Sequence, residues 1–295
     1  MAMNAELFGG RESRLHIVEH EEISGGFSDA TKYRVRIITT HKRGRQFERT
    51  AFLKQTSAAE VSALHAATKV PSATAIPTII ASNNTDDHWV IIPFYVGRHP
   101  ETETALPVNV VESLARMHIY YLNRPIPKDV PVADSSWWRA KCLESIERLT
   151  ASAKSAMPEA LKKITSWADS PLIADALNHL PRTLLHGDVH RNNIIIDKYG
   201  TGHLIDWGDS MVGIPAFDIV NFCSPGDRAY NSYIETWRLN ARKGLSDHEW
   251  RQGYCVATVC MSVRYLPFAA RHFGLRDAQS MLGKATEAFR RLTAW

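Results

Sequence analysis

Two stretches decide how this chain is read: "LLHGDVHRNNIIID", residues 184–197, and "GHLIDW", residues 202–207. The apolar runs "NIIID" and "GHLIDW" are joined by "KYGT", whose glycine suits a tight turn, so a β-hairpin is expected. Asp188 and Asn193 then stand on the loop leading into the first strand, and Asp206 stands at the end of the second. The hairpin itself sets Asn193 and Asp206 side by side. An amide oxygen and a carboxylate are hard donors suited to Mg2+, which keeps its other positions for water and phosphate oxygens. Asp188 is left to orient a hydroxyl nucleophile or to accept its proton. Together with a lysine for phosphates, these are the parts that phosphoryl transfer asks of a protein.

Outward from the hairpin, the chain divides by periodicity. Residues 14–20, 32–40 and 46–54, "IPTIIAS" and "HWVIIPFYV" read as five strands, with one helix from Ser57 to Lys69 opened by Ser57-Ala58-Ala59-Glu60. Between the first two strands, Gly25, Gly26 and Ser28 supply a turn able to bring backbone amides close to a ligand. Beyond Gly97 the spacing of apolar residues becomes helical over 108–122, 135–153 and 159–180, and helices resume after 216. "YCVATVCMSVRYLPFAARHF" is apolar enough for a buried core helix. The expected architecture is α+β and bilobal: residues 1–97 an antiparallel five-stranded sheet with one helix, residues 98–295 a larger, mainly helical lobe carrying the hairpin.

Composition sets outer limits. The chain has 295 residues, 44% of them hydrophobic, enough to bury a full core, and its net charge of +4 is too slight and too scattered for nucleic-acid binding. The basic run His41–Arg45 contains the glycine of a hairpin turn and reads as solvated. Cys142, Cys223, Cys255 and Cys260 show no CxxC pair, so reduced, buried thiols are expected. "MAMNAELFGGRES" holds no apolar core long enough for a signal peptide, and no charge-free window of eighteen residues follows. A cytoplasmic protein without a membrane or nucleic-acid partner is expected, as a monomer or homodimer.

His186-Gly187-Asp188-(x)4-Asn193 followed by Ile205-Asp206-Trp207 resembles the H-G-D-x-x-x-x-N and I-D-W motifs of the aminoglycoside phosphotransferase and choline kinase-like family. These are small-molecule relatives of the protein kinases. "ISGGFSDATKYRV", "AFLKQ", "HWVIIPFYVG", "SLARMH" and "GIPAFDIVNF" resemble further family segments in the expected order, from about residue 14 to 225. The resemblance implies a protein-kinase-like fold, with Asp188 as catalytic base and Asn193 and Asp206 holding Mg2+. It also implies that Lys54 contacts the α and β phosphates of ATP or GTP, that His186 braces the catalytic loop and that Asp218 ties it down. Adenine would meet backbone groups from Pro93 through Phe94 and Tyr95 to Val96, between apolar lids such as Val35 and Ile205. The family's helix glutamate falls on Glu60, but Glu60 also completes a capping signature with Ser57, and its side chain cannot easily reach both its cap and Lys54. Trp207 is followed by Gly208 and Asp209 where many relatives place a glutamate.

The acceptor is expected to be a small-molecule hydroxyl, foremost that of an antibiotic such as an aminoglycoside, with an amino alcohol of the choline or ethanolamine kind or a sugar as the metabolic alternative. Asp134, Trp137, Trp138, Asp209, Asp227, Tyr230 and Glu235 are candidate walls for a bulky or cationic compound, with helix packing as the competing account of the two tryptophans. His186, Asp188, His190, His203 and Asp206 also have the composition of a zinc or two-metal hydrolase site. That reading gives Asn193 and the lysine strand no task. A nucleotide-binding pseudokinase is a third class, against which stand Lys54, Asp188, Asn193 and Asp206, all present.

Overall fold

The computed structural model describes residues 6–9, 13–23, 30–41, 44–85, 87–101, 105–153, 157–241 and 245–294. Its first part is the antiparallel sheet of β1 (Glu6–Gly9), β2 (Ser13–Glu22), β3 (Lys32–His41), β4 (Gln46–Gln55), β5 (Ala81–Asn83) and β6 (Trp89–Pro93), in the order β1-β2-β3-β4-β6-β5. These correspond to the five expected strands, except that the strand expected over 76–82 forms only as β5 at its end, with the four-residue β1 added at one edge. β1 and β5, the two edges, contact each other, so the sheet curls on itself. Leu15, Ile17, Val35, Ile37, Ala51, Leu53, Ala81 and Ile91 fill one buried cluster, which the curled strands enclose. The opposite face receives α1 (Ala58–Ala67). Val61, Ala63, Leu64, Ala66 and Ala67 of this helix are buried.

The rest is helical, with small pieces of sheet at the junction. After β7 (Gly97–Arg98) come α2 (Val108–Tyr121), α3 (Ser135–Ala153), α4 (Pro158–Ala168) and α5 (Pro171–His179). Then follow β8 (Thr183–Leu185), β9 (Ile194–Asp197), β10 (Gly202–Leu204) and β11 (Met211–Gly213). The chain closes with α6 (Arg228–Asn240), α7 (Asp247–His272) and α8 (Leu275–Leu292). The stretch 159–180, expected as one helix, is two: Pro171 lacks the amide proton that would continue the ladder and restricts Ser170 before it, so α4 stops and α5 starts on the proline. β9 and β10 form the expected hairpin, with Gly202 opposite Ile196 and Leu204 opposite Ile194. β7 adds a third strand to it, Gly97 facing Asp197. A Cβ on Gly97 would lie 2.1 Å from the Ile196 carbonyl oxygen, so only glycine lets the linker pack so closely on the hairpin.

One apolar core joins the two parts: Leu64 and Ala67 of α1 cluster with Val110, Leu114 and Met117 of α2, with Leu204 and Trp207 of the hairpin segment, and with Tyr233 and Trp237 of α6. A second lies within the helical part, where α7 packs on α3 and α8. Pro267 sits inside α7 and cannot donate to the Val263 carbonyl; the Ser145 hydroxyl of α3 donates to it instead, at 2.7 Å. All four cysteines are free and buried. Among the described residues no helix is long and apolar enough to cross a membrane.

Candidate active site

β8 delivers the chain to His186-Gly187-Asp188, and a buried carboxylate fixes that turn. Asp218, fully buried at the end of the helical turn Pro215–Asp218, accepts the backbone amides of His186 at 2.8 Å and Gly187 at 2.7 Å. It also lies 3.0 Å from His118 Nε2 of α2, and His118 Nδ1 lies 2.7 Å from the Tyr233 hydroxyl. A carboxylate only accepts, so Nε2 carries the proton toward Asp218 and, in the neutral ring, Nδ1 accepts from Tyr233. Gly187 has φ +83°, and a Cβ there would stand 1.9 Å from the Asp209 carbonyl oxygen, so the turn requires glycine on both counts. His186 Nε2 donates to the Ile205 carbonyl at 3.0 Å, and its ring centroid lies 4.7 Å from that of Trp207. The loop bearing Asp188 is thereby tied to the segment bearing Asp206.

Asp188 is held from three sides. The Asn193 amide nitrogen donates to its carbonyl oxygen at 2.9 Å and to Oδ2 at 3.0 Å. His190 Nε2 lies 3.3 Å from Oδ2, and the Tyr265 hydroxyl of α7 donates to Oδ1 at 2.5 Å. Burial alone would raise the carboxyl pKa; the hydrogen bonds from His190 and Tyr265 and the charges of His190 and His186 outweigh it and bring it down to about 2. Asp188 is thus an anion at neutral pH, better fitted to orient a hydroxyl than to carry its proton away.

Opposite Val90 and Lys32 near the end of β4, Lys54 projects toward α1 and the hairpin. Its ammonium lies 2.8 Å from Glu60 Oε2 and 2.7 Å from Asp206 Oδ1, a contact spanning 152 positions of sequence. Lys54 and Glu60 are nearly inaccessible, with side-chain exposures of 6% and 2%. Burial works to lower the lysine pKa, but the two carboxylates raise it on balance; the Asp206 carboxyl, which burial raises, is lowered by Lys54. The competition at Glu60 resolves in one direction. Ser57 Oγ accepts the Glu60 amide at 3.2 Å, while the Glu60 carboxylate turns away to Lys54 and accepts from the Thr56 hydroxyl. At α7, by contrast, Glu249 completes the box and accepts the Ser246 amide at 2.7 Å. Asp206 has φ +59°, a left-handed conformation that aspartate tolerates better than most residues.

Lys54 is the ammonium in direct contact with Glu60 and Asp206, with Lys32 acting on Asp206 from further off. The Asn193 oxygen is opposite the amide nitrogen that Asp188 takes, and Asp206 Oδ2 is not engaged by Lys54. Two hard oxygens on neighbouring segments fit a divalent cation that completes its sphere with water and phosphate. The zinc-hydrolase set does not gather: His186 is engaged by Ile205, His203 Nε2 lies 3.1 Å from Asp197, and among the described residues no three His, Cys, Asp or Glu side chains are grouped to hold a metal.

Several expected positions sit elsewhere. Val35 is fully buried inside the curled sheet; it faces Ala51, three residues from Lys54, so strand alternation puts it on the other face and it is no lid over a nucleotide. Next to Lys54 on its own face of β3 and β4 stand Lys32, Arg34 and Phe52, and the Arg34 guanidinium lies 5.2 Å from the centre of the Phe94 ring. Pro93, Phe94 and Tyr95 are half-buried and Val96 is exposed. Tyr95 stacks on His203 with centroids 4.0 Å apart. Ile205 is half-buried beside Asp206. Gly25, Gly26 and Ser28 lie outside the described residues.

The proposed acceptor walls mostly dissolve. Trp138 is core, its indole donating to the Trp167 carbonyl at 3.0 Å, and Trp137 packs on Phe217. Asp134 caps α3 through the Trp137 amide, and Asp227 precedes α6 and accepts the Ser224 amide. The Tyr230 hydroxyl accepts from the Trp250 indole, and Glu235 is exposed on α6. Asp209 alone remains at the site, 2.5 Å from Arg264 Nη2. Arg264, side chain 10% exposed, also donates to the Gly187 carbonyl at 3.1 Å. Arg264, Tyr265, His118 and Tyr233 are the parts that sequence reasoning missed; the arginine-tyrosine pair inside an otherwise apolar helix was the available signal.

Residues 19–254 match the phosphotransferase enzyme family, APH. Among solved structures the chain is similar to choline kinase from Cryptosporidium parvum Iowa II, with TM-score 0.60 and 13% identity over 94% of this chain and 90% of that one. It is similar to a putative fructosamine-3-kinase from Thermobifida fusca YX-ER1, with TM-score 0.58 and 15% identity over 93% and 94%. It is also similar to the ADP-bound aminoglycoside phosphotransferase APH(2'')-Ib, with TM-score 0.54 and 15% identity over 92% and 95%. At such identities the likeness is one of fold. No curated protein sequence matches the chain. Lys54, Glu60, Asp188, Asn193 and Asp206 all fall within the matched span, and the chain belongs to the phosphotransferase enzyme family, as a nucleotide-using kinase of small molecules.

Proposed function

We propose that the chain transfers the γ-phosphate of ATP, or of GTP, to a hydroxyl group of a small molecule. Asp188 aligns the acceptor hydroxyl and receives its proton late in the transfer, Lys54 holds the phosphates of the departing nucleoside diphosphate, and Glu60 keeps the lysine extended. Asn193 and Asp206 are the residues that would hold Mg2+, which when bound neutralises phosphate charge. The acceleration comes from positioning and from charge stabilisation. In this reading residues 1–97 serve the nucleotide, with the linker from Pro93 to Val96 and the side chain of Ile205 beside its base, and residues 98–295 serve catalysis and the acceptor. The protein acts in the cytoplasm as a monomer or homodimer. The carrying observation is the 2.7 Å contact of Lys54 with Asp206, which joins the sheet to the hairpin beside Asp188.

For the acceptor, three of the four acids that favoured a polycation already have partners, Asp134 and Asp227 in helix starts and Asp209 with Arg264, while Glu235 lies exposed on α6. That weighs toward an uncharged or singly charged alcohol, whether a sugar, an amino alcohol or a neutral antibiotic, over a polycationic aminoglycoside. The test is ADP release measured with ATP and Mg2+ across such a panel. Acceptor-dependent release by the wild type and none by Asp188→Asn is the expected result; equal release by the two would overturn the assignment of Asp188.

A further inference from the structure

We propose that Tyr265 guards the base, its hydroxyl filling the place at Asp188 Oδ1 that a water molecule would otherwise take, so that nucleotide bound without an acceptor is not hydrolysed. This rests on the phosphotransfer reading above. Residues 264 and 265 lie beyond the span matched to the family.

The tyrosine makes the contact an acceptor would make. Its O–H donates to Oδ1 at 2.5 Å, while Oδ2 is taken by the Asn193 amide and faced by His190, which leaves a fifth of the Asp188 side chain exposed. Burial raises the Tyr265 pKa well above the ordinary phenol range, so the group stays a donor. Its place is fixed by neighbours. Arg264, the preceding residue, is pinned to the Gly187 carbonyl and to Asp209, and the Val263 carbonyl before it is held by Ser145. The catalytic loop is therefore tied to this turn of α7 at Gly187, next to Asp188. An acceptor brings binding contacts of its own that can offset the loss of the phenol's hydrogen bond when it displaces Tyr265 from Oδ1. A lone water has no such contacts to compensate for the loss.

Without the guard the idle reaction is ordinary hydrolysis. A water oxygen bonds to the γ-phosphorus, and the bond from phosphorus to the β,γ-bridging oxygen breaks with its electron pair leaving on ADP. The water proton passes by way of Asp188 to solvent.

The experiment measures phosphate release from ATP and Mg2+, with no acceptor, by the full chain and by Tyr265→Phe, which keeps the ring. The variant is expected to release phosphate about tenfold faster or more, the factor that corresponds to one hydrogen bond to a charged group. Tyr265→Phe combined with Asp188→Asn is expected to return to wild-type release or below. ADP should raise the melting temperature of each variant as it does the wild type, which shows that the fold and nucleotide site are kept. Unchanged release by a Tyr265→Phe protein that binds ADP normally overturns the guard, as does raised release that survives Asp188→Asn. Phosphate found on Tyr265 itself would make the residue an acceptor and overturn it too. A wild type that binds no ATP at all would instead overturn the phosphotransfer reading, and the guard with it.

Discussion

The two sides of Asp188 are built differently. On the side proposed for the nucleotide, Lys54, Glu60 and Asp206 come from three separate elements, yet each sits in a motif a reader can recognise, and the three touch at 2.7 to 2.8 Å. On the side proposed for the acceptor, Arg264, Tyr265 and Asp209 form contacts as short, from residues that no motif marks. Under the proposed function the difference follows from what each side must bind. Phosphates and a divalent cation present fixed chemistry, so a fixed set of residue types meets them; the acceptor varies, and the scaffold around it varies with it.

The contrast can be broken in several places. Asp188→Asn should cost the most, roughly a thousandfold in ADP release, because it removes the group that meets the acceptor hydroxyl while nucleotide binding persists. A loss below tenfold would move the catalytic role elsewhere. Lys54→Met should lower kcat/KM about a hundredfold and also destabilise the fold by about 3 kcal/mol, since it leaves buried Glu60 and half-buried Asp206 without their cation; a shift in denaturant midpoint reads the second effect. If activity falls with no change of midpoint, the ion pair is not structural.

Acid should expose the next difference. The Asp188 carboxyl, near 2 in the fold against an ordinary 3.8, is a lowered group, so its contribution is present above about pH 4 and is lost as pH falls toward 2. It amounts to about 2 kcal/mol in the nucleotide-free protein. Asp188→Asn should flatten that part of the stability curve, and an unchanged slope would mean that Tyr265 and His190 do not hold the anion. The smallest effect is expected at Ser57→Ala, about 1 kcal/mol of stability with kcat/KM for nucleotide within twofold, because the Glu60 carboxylate takes no part in that cap. A large loss of kcat would show that the cap also aims Glu60.

What was legible in the sequence was chemistry carried by neighbours along the chain. The hairpin that carries Asn193 and Asp206, α3 to its ends, and the buried helix within α7 all follow from spacing and turn residues. β8 escaped because the three residues Thr183–Leu185 ahead of a motif are too few to show a period. Val35 was placed on the wrong face because the face depends on the register of β3 against β4, which the intervening turn sets. Arg264 and Tyr265 escaped because an apolar helix shows its polar residues without showing what they meet. Glu60 is the most instructive of these, since the same Ser-x-x-Glu pattern closes fully at Ser246 and only half at Ser57. A lysine within reach makes the difference.

The shared core around α1 has a mechanical consequence. Protein kinases can be silenced by swinging the helix that carries the lysine's glutamate; here Leu64 and Ala67 are sunk among Val110, Leu114 and Met117, and Ser62 and Ala66 are bonded to Asp129 and Tyr121. Tilting that helix outward would drag leucine-sized surface into water, at roughly 2 kcal/mol for the leucine alone. Held this way, α1 keeps Glu60 against Lys54 unless that burial and those two hydrogen bonds are given up together.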